Sequence, residues 1–241
     1  MTKKKIFVVA LAVCLIAILS AGSLAWFSAQ DSVKNEFFVA TSDDDTKDEI
    51  FSVDVMERID QDKDGVYDAT LTAPEGYDYK EILPGDKLVK EPFVRNTGFY
   101  DQYIRVTLTI SDATAWINAM GIDFKIEDVF ENYDENMWNH IEKKIEGEPD
   151  TITYVLYYNG ILDGDDTTND ASTDVNQVTL FTHVNIPESL TQEQAAAFKG
   201  DFSIDIKAEA VQTENVVPAG TAAADAAWEA FRTVEGRTVN P

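Results

Sequence analysis

Asp60, Asp62, Asp64 and Asp68, with Gly65 among them, are the residues whose types and spacing come nearest to doing chemistry. They fall at positions 1, 3, 5 and 9 of an EF-hand-type loop with glycine at 6, where side-chain oxygens converge on a hard cation and glycine permits the sharp turn. Position 12 is Leu71 rather than the bidentate glutamate. Glu75 or water would have to complete the shell, and affinity for calcium would be weak, ~10⁻⁴–10⁻³ M as in extracellular modules. The same residues equally suit a solvated acidic hairpin tip. Other chemistry is sparse. The chain has two histidines, His140 and His183. His140-Ile141-Glu142-Lys143-Lys144 has lysine where His-Glu-x-x-His needs the second imidazole on the same helix face. A zinc site from both histidines and a carboxylate remains the alternative. No Gly-x-Ser-x-Gly occurs, and the only cysteine, Cys14, lies in an apolar leader, so the mature chain has neither a thiol nucleophile nor a disulfide.

The elements that would carry these residues read as strands. Phe51, Val53 and Val55 alternate with Ser52 and Asp54, and Tyr67, Ala69 and Leu71 alternate with Asp68, Thr70 and Thr72. Period-2 alternation marks half-buried strands, so the aspartate loop is the tip of a hairpin. Ile82 to Asp86 is a turn in which Pro84 presets φ and Gly85 takes φ > 0. A strand over 87–94 follows, then the turn Arg95-Asn96-Thr97-Gly98. Ile104, Val106, Leu108 and Ile110 next face one way, with Arg105, Thr107 and Thr109 facing the other. Ser111–Met120 and Asp134–Ile145 read as short helices, the second because Met137, Ile141 and Ile145 recur every four residues. Thr151–Tyr158 and Gln177–Ile186 read as strands, the latter closed by Pro187. Thr191 and Gln194 make a capping-box start for a helix over 192–198, and Phe202 to Ala210 alternates as a long last strand. Seven or eight such strands separated by Gly, Pro and Asp turns predict an all-β, antiparallel two-sheet sandwich with short helical insertions.

The first 40 residues decide location. Lys3, Lys4 and Lys5 precede an apolar run from Ile6 to Leu19, and Ser23 and Ala25 have the small-residue spacing of a signal-peptidase site. Cleavage is expected between Ala25 and Trp26; an uncleaved membrane anchor is the alternative, since no charge falls between Lys5 and Asp31. Loss of three lysines and no acid takes the net charge from −25 to −28. Such a surface repels nucleic acid and anionic lipid and attracts divalent cations, so contact with a membrane is expected only before cleavage.

After the cut come Trp26-Phe27-Ser28-Ala29-Gln30-Asp31 and Asn35-Glu36-Phe37-Phe38. Together with the apolar leader, this start resembles the TasA and camelysin family of Gram-positive exported proteins, whose leaders are cut by the SipW signal peptidase. Ala29 stands where that family usually has an acid or Asn, and Ala40-Thr41 replaces its Gly-containing end. A second block, Leu83 to Val106, is similar to the family's Pro-Gly-Asp, Val-x-Asn-x-Gly turn and Tyr-hydrophobic-Arg strand. A third, Ile206 to Gln212 with Ala226-Ala227-Trp228-Glu229-Ala230-Phe231, resembles its Ala-x-Ala-x-Gln strand and Ala-Trp helix.

The resemblance implies a jelly roll and two contrasting functions: a subunit of biofilm-matrix or cell-surface fibres, or a camelysin-like surface metallopeptidase. In the fibre reading the chain divides into a signal peptide (1–25), an N-terminal extension with an acidic linker (26–49), the sandwich (50–212) and a tail with a short Ala/Trp helix (213–241). The extension carries Phe27, Phe37, Phe38 and Val39, a composition suited to a donor strand that completes the sheet of another copy. It suits equally the first strand of its own domain. Partners would then be further copies of the chain and a SipW-type peptidase.

The loop reading makes one testable statement. Calorimetry should detect calcium uptake by the mature chain at millimolar concentration, and Asp62→Ala combined with Asp64→Ala should abolish it. Uptake unchanged in the double variant would return the loop to a solvated tip.

Overall fold

The computed structural model describes residues 28–32, 35–36, 51–60, 67–72, 79, 82–164, 175–188, 190–191, 193–194, 198 and 202–236, with backbone alone for 28–32, 35–36 and Thr72. The expected leader, the expected cleavage site between Ala25 and Trp26, Phe27, the segment 37–49 with Phe37, Phe38 and Val39, and the loop residues Asp62, Asp64, Gly65 and Glu75 lie outside them.

Two antiparallel sheets form an all-β, jelly-roll-like sandwich. Sheet I contains, in spatial order, β2 (Asn35–Glu36), β1 (Ser28–Ser32), β12 (Ile204–Gln212), β6 (Gln102–Ser111), β9 (Asp150–Tyr158) and β8 (Trp138–Gly147). Sheet II contains β4 (Ala69–Thr72), β3 (Val53–Ile59), β5 (Lys87–Asn96), β11 (His183–Asn185) and β7 (Phe130–Glu131), with β10 (Gln177–Thr179) also on β5. The chain passes repeatedly from one sheet to the other, so most neighbours within a sheet are distant in sequence.

The alternation in β6 does what its pattern demands. Ile104, Val106, Leu108 and Ile110 are fully buried between the sheets, opposite Val53, Val55, Leu88 and Val94 of sheet II. In β12 the inward positions are Ile206, Ala208 and Ala210. Small side chains there let β3 pack close across the sandwich.

The expected hairpin is present, with Glu57↔Leu71 and Ile59↔Ala69 in register. Gly85 takes φ 86, and Asp86 donates its N–H to the Leu83 carbonyl at 3.0 Å. The capping box also forms: Thr191 N–H reaches Gln194 Oε1 at 2.9 Å and Gln194 N–H reaches Thr191 Oγ1 at 3.1 Å. Helices α1 (Ala113–Met120) and α2 (Ile126–Val129) lie between β6 and β7, and Trp116 of α1 is fully buried, edge-on to Phe198 and Phe202 at 5.2 Å. The C-terminal helix α3 (Ala226–Val234) packs on the outer face of sheet I, where Ala227, Ala230 and Phe231 meet Tyr103, Tyr157 and Val211.

Two expectations fail. Residues 134–145 hold no helix; they enter β8, the outermost strand of sheet I. A spacing of four is a multiple of the strand period as well as close to the helical 3.6, and Met137, Ile141 and Ile145 stay exposed at the edge while only Trp138 of this group is buried. The expected single strand over 177–186 is also broken, into β10 and β11. Both keep one register on β5, with Gln177↔Arg95 and His183↔Val89. The gap lies opposite Pro92, which has no N–H to give the ladder.

The Asn96–Gly98 turn is a buried junction. Asn96 donates to the carbonyls of Tyr100 and Leu162 at 2.9 and 3.0 Å and accepts from Gly98 N–H at 2.9 Å. Gln102, fully buried, donates to Ser52 O at 2.8 Å. A Cβ on Gly98 would lie 2.6 Å from Ser52 N and 3.0 Å from Phe51 Cα, both backbone atoms. Gly98→Ala should therefore cost about 1–3 kcal/mol in urea unfolding; an unchanged midpoint would show that the junction yields.

Candidate functional site

The chemistry-bearing residues among those described each have a place. Asp60, at 2% exposure, ends β3, while Asp68 is exposed at the start of the return strand. Asp68 N–H closes the hairpin on Ile59 O at 2.9 Å. The structure thus puts the first and last aspartates of the loop at its two feet. Asp62 and Asp64 lie outside the described residues. Among the described residues no group of three His, Cys, Asp or Glu is placed to hold a metal ion.

The histidines belong to different sheets, His140 to sheet I and His183 to sheet II. His140 sits with φ 48 in a β-bulge where β8 shifts register between Asn139 and Glu142. Its Nε2 lies 2.7 Å from Asp225 Oδ1, and its ring stacks on Trp228 at 4.4 Å. Its role here is to dock the start of α3. His183 Nδ1 lies 2.8 Å from Thr182 Oγ1. Partial burial, and then the Lys87 ammonium, hold its pKa below the ordinary histidine value.

Sequence reasoning missed a network around Arg105. This guanidinium faces outward from β6, directly opposite Glu209 of β12. Nε and Nη2 each reach Glu209 Oε2 at 2.8 Å, Nη1 reaches Glu235 Oε1 at 2.5 Å, and Cζ lies 4.4 Å above the Phe231 ring. Burial pulls the guanidinium pKa down, but Glu209, Glu235 and Tyr157 outweigh it and hold the pKa above its ordinary value. The arginine of the Tyr-hydrophobic-Arg block and the aromatic of the Ala-Trp helix thus meet in one contact. Both residues were visible as motif members; their partnership needed the fold.

The N-terminal extension supplies the remaining candidate. The backbone of β1 pairs antiparallel with β12 of its own chain, from Ser28↔Val211 to Ser32↔Lys207, and β2 folds back on it. Of the two alternatives for this segment, the structure displays pairing within the chain. It also identifies the acceptor, the edge of β12 that does not face β6. The side chains of Phe27, Phe37, Phe38 and Val39 lie outside the described residues.

Comparison with known protein families, with characterised proteins and with solved structures finds no match to this chain.

The Arg105 network generates a measurable expectation. Arg105 and Glu209 have side chains only 14% and 10% exposed, so Arg105→Ala takes the guanidinium from a buried carboxylate that keeps Lys207 Nζ at 3.2 Å and should cost about 3 kcal/mol, the low end for breaking a buried pair. Adding Glu209→Ala should recover part of that loss, because the second change removes the under-compensated charge. Equal loss in single and double variants would mean that Arg105 acts through packing on Phe231 alone.

Proposed function

We propose that this protein is an exported structural subunit that polymerises into cell-surface or matrix fibres by exchanging its N-terminal strand between copies. The observation that carries the reading is the position of β1: a short strand close to the expected cleavage site, held against β12 through main-chain pairing. Moving β1 from its own β12 to that of the next copy replaces each hydrogen bond with an identical one. Such a swap is close to neutral in free energy and is driven by concentration. Where each copy gives its strand to one neighbour and receives one from another, the contact is heterologous, and without closure into a ring a linear polymer follows.

Three sequence features support the same reading. The leader withholds a free N-terminus until export, so polymerisation starts outside the cell. The aromatic residues Phe27, Phe37 and Phe38 flank β1 and would contribute roughly 1.5–3 kcal/mol each if buried in a groove. The acidic segment 41–49 separates the strand from the sandwich and gives it reach. A charge of −28 after cleavage of the three-lysine leader opposes close approach, so salt should favour assembly by screening, as should calcium at Asp60, Asp62, Asp64 and Asp68.

Electron microscopy of the mature chain at rising concentration should show filaments, and deletion of 26–40 should leave a cooperatively folded chain that forms none. A synthetic 26–40 peptide should bind that truncated chain and cap growth of the intact one. Filaments formed by the truncated chain would overturn strand exchange. Unfolding of the truncated chain that the peptide does not rescue would make β1 a fixed internal strand.

A further inference from the structure

Sheet I has a second edge, and it is of a different kind. β8 runs ten residues at the end of the sheet, and among the described residues no strand pairs with its outer side. Ile141 and Ile145 are each 42% exposed along it, and Ile122, 61% exposed, lies beside it through its carbonyl contact with Lys143. A long edge with apolar side chains is a template for another strand.

The charge pattern says which strand. Residues 142–146 contain two acids and two lysines, a neutral strip on a chain of net charge −25. Laid antiparallel on itself with Lys143 opposite Lys143, the strand sets Ile141 against Ile145 twice and Glu142 against Lys144 twice. A shift of one residue either way puts an isoleucine opposite a charged or imidazole side chain. A shift of two sets Glu142 against itself or against Glu146. Directly opposed residues share a face and contribute about 0.2–1 kcal/mol per favourable pair, whereas opposed like charges destabilise. The one like pair in the favoured register is disarmed within each chain: Lys143 Nζ donates to Phe124 O at 2.6 Å and Ile122 O at 3.2 Å, and lies 4.2 Å from the Phe124 ring centre. Lys144, paired with Glu146 at 2.5 Å in its own strand, would sit between that carboxylate and Glu142 of the second copy. The bulge takes in His140 and Ile141, between the paired residues Asn139 and Glu142, so the regular register runs from Glu142 to Gly147 and the two Glu142–Lys144 pairs carry it.

We infer that β8 is a self-complementary interface at which two copies of this chain pair antiparallel about a twofold axis through Lys143, joining two copies of sheet I into one continuous sheet. This contact is independent of β1 and lies at the opposite edge; in a fibre it would link neighbouring strands of subunits side by side.

Charge reversal tests it on the full mature chain, by sedimentation velocity at concentrations below filament formation. The unaltered chain should associate to a dimer. Glu142→Lys and Lys144→Glu should each weaken association about tenfold or more by setting like charges opposite at two symmetry-related places. An equimolar mixture of the two variants should associate again, since a Glu142→Lys chain is basic at both positions and a Lys144→Glu chain acidic at both, which restores an opposite-charge pair at each place. Both positions are exposed, so unchanged circular dichroism serves as the folding control. Absence of a dimer in the unaltered chain, single variants that associate as well as it does, or a mixture that stays monomeric would each overturn the interface. Both variants should still form filaments through β1, so failure here leaves that reading standing.

Discussion

Main-chain pairing of β12 with β6 runs without a break from Ile204↔Ile110 to Gln212↔Gln102, and it sets which side chains of both strands face inward and which outward. A slip of one residue would turn Ile104, Val106, Leu108 and Ile110 to the outside. Inward, this register builds the centre of the core. Outward, it places Arg105 beside Glu209, and that pair together with Phe231 and Glu235 fastens α3 to the sheet. One edge of β12 is therefore committed to β6. The other is the edge that β1 covers, so the strand on which the core depends is also the strand on which assembly would act.

Strongly periodic strands were legible from residue type alone, because half-buried strands have a period of two wherever water lies on one side. β6 and β12 are the clearest cases. The Pro84-Gly85 turn and the Thr191 capping box were legible for another reason: their chemistry is local and needs no tertiary partner. β8 was misread because its isoleucines are edge residues rather than core residues, and a spacing of four does not separate strand from helix. The break between β10 and β11 was hidden because its cause, Pro92, sits on a neighbouring strand more than eighty residues earlier. Of the candidate site, the residues were legible and their partners were not. Nothing in the spacing of Arg105, Glu209 and Glu235 announces a shared contact, since only the crossed topology brings them together.

The two edges of sheet I differ in kind. At the β12 edge the chain supplies its own short strand. At the β8 edge the strand is long, carries a neutral strip and is linked to the helical insertion through Lys143. A strongly acidic surface discourages random contact between copies, which leaves main-chain edges as the places where close approach is rewarded. The histidines lie on different sheets: His140 joins α3 to the β8 bulge, and His183 bonds its neighbouring Thr182.

Strand exchange at β12 is tested most directly by a covalent mark on the paired residues. Ala29 and Ala210 lie opposite one another in the β1–β12 register, and the chain's only cysteine, Cys14, lies in the apolar run 6–19. A mature chain carrying Ala29→Cys and Ala210→Cys can be oxidised before or after assembly. Oxidised first, it should give an internally bridged monomer that forms no filaments until reduced. Assembled under reducing conditions and then oxidised, it should run as a ladder of covalently linked multimers on a denaturing gel. Filaments that yield only internally bridged monomers after the same treatment would contradict the account.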